Sequence, residues 1–550
     1  MLKPSAGFCF ALSVLASTSA LMALAPPFLS IWPSIDEGLY AYQAQRMVEG
    51  QVIYRDFFQF VAPGYFFLLS RWMILLGMEL ATLRMLMILC LFGSSLLVYL
   101  VCRKLHVSPV FSLVASTAYI VLKIRSDYML SHYGPSALLE LAVLALLCAH
   151  AANHSRIALC LVGLLVSADI LTNQHLGAYL LLACMAVVLL ENLSDKRAPW
   201  RDVGCLVCGA TPLIGLYLAY ALFTRSAAAA FHCTFSWVIG TYPQFDSQDY
   251  WFHWVRQTWA ELTAGPSVHA GVDLALALFE TFAAPLSILL AASYLGWERR
   301  KGRPFQEFHH CIGTAAIISA ALYSSVHIAP NRLLPHVSVP GYLLAYALAH
   351  RVYRHWRGVN RQVKARSFLS LSGLVAILFV CVLPLRTAKV FNNIVSYHTT
   401  LQKTEGQTPR GSVWLPTNED SGQLRLLTFL SQRIPQGGPL SAVNWSPWVY
   451  YLGRYRNPGP VDYLLPSFVS DENVRRTIAA IERERVTWIV QDNVLRSWME
   501  RKDGRVQHIT PAMISTWEFN RYRDTRFIPA GHVGAYTIYR RKDGEARTDE

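Results

Sequence analysis

Two adjacent carboxylates, Asp36 and Glu37, follow directly on the first long apolar segment of the chain. Ionised side chains are costly among lipid tails, so an acidic pair at the point where a membrane helix emerges into water raises the question of a function. A carboxylate there is suited to acid–base chemistry, because it can take the proton of a hydroxyl within hydrogen-bond reach. The structural alternative is that Asp36 caps a helix over residues 37–49.

The composition places most of the chain in lipid. Of the 550 residues, 53% are hydrophobic and only 15% are charged, whereas soluble globular chains carry roughly 25% charged residues. A helix needs about 20 mostly apolar residues to cross a bilayer. The predicted fold class is therefore a polytopic α-helical membrane protein with about 11 transmembrane helices, near residues 8–30, 83–102, 108–124, 134–152, 157–172, 176–192, 203–223, 270–296, 311–328, 333–349 and 367–387.

The net charge of +14 indicates orientation rather than nucleic-acid binding, because the cations concentrate in alternate short loops. By the positive-inside rule these loops are cytoplasmic, so the N-terminus is cytoplasmic and the chain after the last span is outside. A signal peptide over residues 8–25 is the alternative for the first segment, and it also leaves Asp36 outside. The loop cations are Arg103, Lys104, Arg156, Lys196, Arg197, Arg201, Arg299, Arg300, Lys301, Arg303, Arg351, Arg354, Arg357, Arg361, Lys364 and Arg366.

Two domains are predicted. Residues 1–390 form the membrane domain, and residues 391–550 form a small extracytoplasmic α/β domain whose composition is polar and charged. Alternation and turn residues predict its elements: strands at 438–443 and 486–491, an amphipathic helix at 471–484 and a hairpin at 527–541.

Two loops outside the membrane are long. The loop at 31–82 has helical periodicity at 36–49 and 61–76, which predicts two helices lying in the membrane interface. The loop at 224–269 is rich in Trp, Tyr and Phe. That density is typical of an interfacial aromatic belt, and a wall for a lipid tail or a sugar face is the alternative.

The first of these loops carries a recognisable series of motifs. It contains Asp36-Glu37-Gly-x-Tyr40-Ala-Tyr42, then Gly50-x-x-x-Tyr54-Arg55-Asp56-Phe57, and then Ala62-Pro63-Gly64. This series resembles the first external loop of the GT-C membrane glycosyltransferases of the family 39 type. That family is similar to the protein O-mannosyltransferases and to the enzymes that attach aminoarabinose to lipid A.

The resemblance implies transfer of a sugar from a polyprenyl-phosphate donor to an acceptor on the outer face of a bacterial inner membrane. The acceptor would be an envelope glycan, lipid or protein. Asp36 would be the general base that activates the acceptor hydroxyl, with inversion at the anomeric carbon. Glu37 would orient a neighbour, because adjacent helical side chains point about 100° apart. Asp56 is the second acidic candidate, and an ion pair with Arg55 is its structural alternative.

The leaving phosphate requires cations. Arg332, in Asn331-Arg332-Leu-Leu-Pro335, resembles the family's Arg-x-x-x-Pro region, and a guanidinium suits phosphate oxygens; snorkelling to the interface is the alternative. Arg55, Lys123 and Arg125 are further candidates for this role. His132 and Tyr40 are expected to line the substrate site, and Glu140 is expected to face protein rather than lipid. No cofactor and no metal ion is expected.

One departure from the family pattern bears on the sugar. The lipid A branch often has Lys-Pro-Pro in this loop, whereas here the sequence is Val61-Ala62-Pro63-Gly64. The sugar and the acceptor therefore stay open. Two other classes of protein also stay open: a lipid or glycan transporter or flippase, which predicts ionisable residues near span centres, and a non-catalytic envelope assembly or sensor protein.

Overall fold

The helices and strands below come from a computed structural model of the 550-residue chain. The structure describes residues 6–194, 198–241, 253–265, 268–302, 305–325, 336–358, 403–417, 420, 422–444, 446–465, 469–493 and 517–542.

The described part of residues 6–358 is helical. Its helices are α1 (Ala6–Leu24), α2 (Pro26–Leu29), α3 (Ile35–Val48), α4 (Pro63–Leu76), α5 (Leu80–Lys104), α6 (Pro109–Asp127), α7 (Tyr133–Asn153), α8 (Arg156–Thr172), α9 (Gln174–Ser194), α10 (Trp200–Phe223), α11 (Ala227–Phe231), a π-helical turn (His232–Ser236), α12 (Trp237–Gly240), α13 (His253–Ala264), α14 (Val268–Arg300), α15 (Glu307–Ser324) and α16 (Val339–Gly358).

The predicted apolar segments correspond to these helices. Every segment from 8–30 to 333–349 overlaps a helix, and the segment at 367–387 lies outside the described residues. Within the described chain, five helices are long and apolar enough to cross a membrane, namely α1, α5, α7, α9 and α10. The two helices expected in the first loop are α3 and α4. The chain is thus a multi-pass helical membrane protein, as its composition predicts.

Helix α10 shows how the bundle meets lipid. Its apolar side chains are largely exposed, with Leu216 at 69% and Phe223 at 90%, which costs nothing in a hydrocarbon solvent. On its other face α10 approaches α8 so closely that glycine is required. A Cβ at Gly163 would lie 2.0 Å from the carbonyl oxygen of Leu206, and one at Gly209 would lie 1.9 Å from that of Cys160.

The C-terminal domain combines a four-stranded sheet, a hairpin and four helices within its described residues. The sheet order is β3-β4-β6-β5, with β3 parallel to β4 and the other pairs antiparallel. The elements are β1 (Lys403–Thr408), β2 (Gly411–Pro416), α17 (Gln423–Ser431), β3 (Ser441–Val443), α18 (Trp448–Gly453), α19 (Asp471–Arg483), β4 (Trp488–Asp492), α20 (Glu518–Arg526), β5 (Phe527–Val533) and β6 (Tyr536–Arg541). The predicted strands, helix and hairpin are confirmed, whereas β1, β2, α17, α18 and α20 were not predicted.

The C-terminal domain lies on the bundle at the end where α2 stops and α5 starts, which we call the domain side. The amide of Trp32 donates to the carbonyl of Trp414 at 2.6 Å, and the Trp414 amide donates to Ser30 at 2.9 Å. The amide of Leu80 donates to the carbonyl of Arg410 at 3.2 Å. These backbone bonds join β2 and the β1–β2 turn directly to the first loop.

Candidate active site

Helix α3 carries the acidic pair, and its first turn is fixed by a capping box. The side chain of Ser34 accepts a hydrogen bond from the Glu37 amide at 3.3 Å, and the Ser34 amide donates to Oε2 of Glu37 at 2.9 Å. These two bonds satisfy backbone donors that a helix start leaves unpaired. The structural alternative for Asp36 was therefore wrong, since the N-cap is Ser34 and the helix begins at Ile35.

Glu37 is locked by Arg84 from α5. Both residues are buried, and the guanidinium donates two hydrogen bonds of 2.9 Å to the two carboxylate oxygens. The amide of Leu130 donates to Oε1 at 3.0 Å, so with the Ser34 amide the carboxylate accepts four bonds. A carboxylate held in this way fixes the backbone around it, and the role of Glu37 in the reaction stays a prediction.

Arg84 is the residue that sequence reasoning missed at this site. Its Nη1 also donates to the backbone carbonyls of residues 28, 29 and 31, at 3.0, 3.2 and 2.6 Å. A signal was present, because Arg84 lies inside the apolar segment predicted at 83–102, and a charge there needs a partner. Glu37 is that partner.

Asp36 lies on another face of α3, together with Tyr40. The two are four residues apart, and side chains at i and i+4 share a helix face. Asp36 is partly exposed, whereas Tyr40 is buried. The Tyr40 ring packs against Tyr65 at 5.5 Å and against His132 at 5.9 Å between ring centroids. The structure thus brings the rings of Tyr40 and His132 into contact, and Asp36 lies one helical turn from Tyr40.

Asp56 and Arg55 lie at the opposite end of α3. The carbonyl of Asp56 accepts a bond from Arg46 at 3.5 Å, and Arg46 is ten residues beyond Asp36, about 15 Å along a helix. The Asp56 carboxylate accepts two bonds of 2.8 Å from Arg55 and one of 2.7 Å from the Val52 amide. Hydrogen bonding to the Arg55 guanidinium lowers the pKa of Asp56. The structure does not bring this pair to Asp36, and their functional roles stay predictions.

A second polar cluster lies inside the bundle near the domain side. The Ser136 hydroxyl donates to Oδ1 of Asp169 at 2.6 Å, and Oε1 of Glu140 lies 3.5 Å from the same hydroxyl. All three residues are buried. Glu140 faces protein, as expected. Among the described residues, Oδ2 of Asp169 makes no hydrogen bond, although it is buried.

Lys123 from α6 reaches the same end of the bundle. Its ammonium lies 3.2 Å from Nδ1 of His336, and the His336 ring stacks on Tyr133 with centroids 5.0 Å apart. Tyr133 is the neighbour of His132, so this buried cation lies close to the predicted substrate site. Arg332, the stronger candidate from the sequence, lies outside the described residues.

Comparison with known proteins identifies the fold. No protein-family model and no curated protein matches the sequence. Two crystal structures of ArnT from Cupriavidus metallidurans, each 14% identical, match over nearly the whole chain. The structure with bound undecaprenyl phosphate has a TM-score of 0.52 over 98% of both chains, and the apo structure has 0.54 over 96% of this chain and 97% of that one.

A third structure shares the same architecture. It is the Archaeoglobus fulgidus oligosaccharyltransferase tethered to an acceptor peptide containing the NVT sequon, 12% identical with a TM-score of 0.51, covering 97% of this chain and 74% of that one. Bundle, first loop and C-terminal domain are all included in these matches. The resemblance seen in the first loop is thus confirmed for the whole architecture, and the chain has the GT-C fold of the membrane glycosyltransferases.

Proposed function

We propose that this protein is a glycosyltransferase that moves a sugar from a polyprenyl-phosphate donor to a hydroxyl of an envelope glycan, lipid or protein. The observation that carries the proposal is that the two neighbouring carboxylates on α3 have different surroundings. Glu37 is buried and saturated by Arg84, Leu130 and Ser34, whereas Asp36 is partly exposed on the face it shares with Tyr40. This difference between the two carboxylates occurs in a fold shared with a protein crystallised with undecaprenyl phosphate.

Asp36 is the general base in this proposal. Its carboxylate takes the proton of the acceptor hydroxyl while the hydroxyl oxygen bonds to the anomeric carbon. The bond between that carbon and the donor phosphate oxygen breaks in the same step, so the configuration inverts and polyprenyl phosphate leaves with the electron pair. In this proposal Tyr40 and His132, whose rings pack on each other, form the wall of the site beside Asp36.

The leaving phosphate needs positive charge. Lys123 is linked through His336 to Tyr133, the neighbour of His132. We propose Lys123 together with Arg332 as the phosphate-binding cations, because an ammonium and a guanidinium both stabilise a developing phosphate charge. Arg55 is engaged with Asp56 at the far end of α3 and is the weaker candidate.

We further propose that the site faces away from the cytoplasm. The loops rich in Arg and Lys, such as the one after α5 with Arg103 and Lys104, lie at helix ends opposite the domain side. The positive-inside rule then places the N-terminus in the cytoplasm and the C-terminal domain outside the inner membrane.

A transporter or flippase is the second candidate. Glu140 and Asp169 favour it, because both are carboxylates buried within helices α7 and α8, as a transport pathway would require. This candidate predicts that Asp36 is dispensable for sugar attachment.

Mass spectrometry of envelope lipids and glycans tests the proposal. Cells carrying wild type, Asp36→Asn or the control Asp524→Asn are compared at matched protein amounts. We expect Asp36→Asn to reduce transfer by about 10²–10⁴-fold, the usual contribution of a general base, with the lipid-linked sugar accumulating. Asp524→Asn should retain transfer, because this carboxylate is largely exposed on the C-terminal domain and is paired with Arg523 next to it. Normal transfer by Asp36→Asn would contradict the assignment of the base.

A further inference from the structure

One face of α3 is buried against the C-terminal domain. A Cβ at Gly38 would lie 2.5 Å from the Cα of Trp448, the first residue of α18. One turn further along, the Tyr42 ring stacks on Tyr450 with centroids 5.0 Å apart. The Tyr42 hydroxyl accepts a hydrogen bond of 2.7 Å from the Asn457 amide. Helix α3 is therefore in direct contact with α18 and the loop after it.

A buried ion pair completes this contact. Nη1 of Arg46 donates to Oδ1 of Asp462 at 2.6 Å, and the two residues are 3% and 2% exposed. The same oxygen accepts from Nδ2 of Asn457 at 2.8 Å, and Oδ2 accepts from Nε2 of Gln43 at 3.1 Å. Each carboxylate oxygen of Asp462 thus has a donor.

The guanidinium of Arg46 is equally well satisfied. Its Nε donates to Gln51 at 2.7 Å, and Nη2 donates to the carbonyl of Gly459 at 3.1 Å. Its central carbon lies 4.8 Å from the centre of the Phe57 ring. Separating the two side chains of a buried, fully hydrogen-bonded ion pair is unfavourable, because each charge would remain buried without its partner. The docked position of α3 is therefore strongly specified.

The two ends of α3 are held by different parts of the molecule. Near its start, Glu37 is tied to Arg84 of the bundle, and near its end Arg46 is tied to Asp462 of the C-terminal domain. A 14-residue helix behaves as a rigid rod of roughly 20 Å. Release of the Arg46 end lets the rod tilt about its Glu37 anchor, and this tilt reorients the side chain of Asp36 on the first turn.

We propose that the C-terminal domain is a positioning unit for the reaction, in which Asp462 acts through Arg46 to set the placement of Asp36 over the bundle. The inference rests on the proposed function, because it takes Asp36 as the base. Arg46 and Asp462 touch no reacting group, so they are positioning residues. The domain is then part of the catalytic machinery although it contributes no base of its own.

The test uses the full chain in a detergent micelle or nanodisc, with Asp462→Asn and Arg46→Gln as single and double variants. Hydrogen–deuterium exchange of the amides of residues 35–48 reports the docking of α3 independently of activity. We expect exchange to rise about tenfold in each single variant through local opening. The double variant should recover part of the protection, because it leaves no uncompensated charge.

Turnover with a polyprenyl-phosphate sugar provides the second readout. We expect kcat to fall on the order of 10²-fold, as for a base displaced by about 1 Å, while KM for the donor changes little. The matched control is Glu482→Gln, which removes a 2.9 Å ion pair with Arg541 inside the C-terminal domain. The control should change neither the exchange of residues 35–48 nor kcat.

Tyr42→Phe keeps the inference testable if the charged variants fail to fold. It removes the acceptor of the Asn457 amide alone, so we expect smaller changes in the same direction. If the wild type is active and Asp462→Asn changes neither the exchange of residues 35–48 nor kcat, the inference is wrong while the proposed function stands. A wild type without any sugar transfer would overturn the proposed function, and exchange would still report whether Asp462 holds α3.

Discussion

Buried charges around α3 and buried charges inside the helix bundle are satisfied to different degrees. Glu37 accepts four hydrogen bonds, two of them from Arg84. Asp169 is equally buried, yet in the described part of the chain its Oδ1 has the Ser136 hydroxyl and its Oδ2 has no donor. The desolvation cost of a carboxylate is offset only where donors replace water.

This difference separates two roles for buried carboxylates. A fully bonded carboxylate such as Glu37 is part of the framework, and its removal or the removal of its partner affects the whole domain contact. A partly bonded carboxyl group such as Asp169 contributes little to the framework, and its burial comes at a cost to stability. Such groups mark positions for function rather than for folding. Replacing the partners one at a time measures the difference.

The largest effect is expected for Arg84→Met. It leaves the Glu37 carboxylate buried without its cation, which destabilises a protein by about 3–5 kcal/mol. Denaturant unfolding of the solubilised protein measures the free energy of unfolding. Adding Glu37→Gln to the variant should recover part of the loss, because a neutral amide is cheaper to bury. A loss below about 1 kcal/mol would mean that Glu37 is not part of the framework.

Ser136→Ala is expected to have an intermediate effect. It removes the 2.6 Å donor to Asp169 and leaves that carboxylate short of hydrogen bonds, at a cost of about 1–3 kcal/mol. Ser167→Ala is the matched control, since the Ser167 hydroxyl is also buried but donates at 2.8 Å to a carbonyl of its own helix. Thermal unfolding measures the stability of both variants. An equal loss of stability in Ser136→Ala and Ser167→Ala would show that the hydrogen bond to Asp169 has no special importance.

Asp169→Asn should change stability by no more than about 1 kcal/mol, because the amide has the shape of the carboxyl group and its oxygen still accepts from Ser136. The comparison variant is Glu37→Gln, which loses a charged partner and should cost more. Both free energies of unfolding come from one denaturant series. A larger loss in Asp169→Asn than in Glu37→Gln would reverse the assignment of roles.

The smallest effect is expected for Arg55→Gln. Its ion pair with Asp56 is 45% and 31% exposed, and exposed pairs contribute little to stability because water and salt screen the two charges. Arg55 lowers the pKa of Asp56 in the folded protein. The stabilisation is therefore complete above the ordinary aspartate pKa of about 3.9 and is lost as the pH falls through the lowered value. Unfolding midpoints should converge for wild type and variant only at acidic pH.

The sequence predicted elements best where one physical pattern extends over many residues. Long apolar segments identified the bundle helices, and helical periodicity identified α3 and α4. The sequence did not predict α18, because its six residues are all buried and therefore show no helical alternation of apolar and polar residues. The β1–β2 hairpin was missed as well, since its residues pair with each other and with the distant Trp32 rather than following an alternating pattern.

The candidate site was predicted in part. The rings of Tyr40 and His132 are in contact and Asp36 lies one helical turn from Tyr40, but their functional roles stay predictions. Asp56 was expected in the same site, but it follows the far end of α3. Two residues that are close in the sequence of a loop can still lie at opposite ends of the helix between them. The expectation for Arg332 and the boundary near residue 390 concern residues outside the described part.

By itself the sequence determined that most of the chain is a helical membrane bundle, that a polar α/β domain follows, and that an acidic pair begins the first loop. These features depend on composition and local periodicity, which act over a few turns of chain. Only the tertiary structure decided which member of the pair is bonded to Arg84. It alone decided that Arg46 meets Asp462, a partner 416 residues away. Such pairings depend on the packing of whole domains, because a buried charge is stabilised by whichever group folding brings to it.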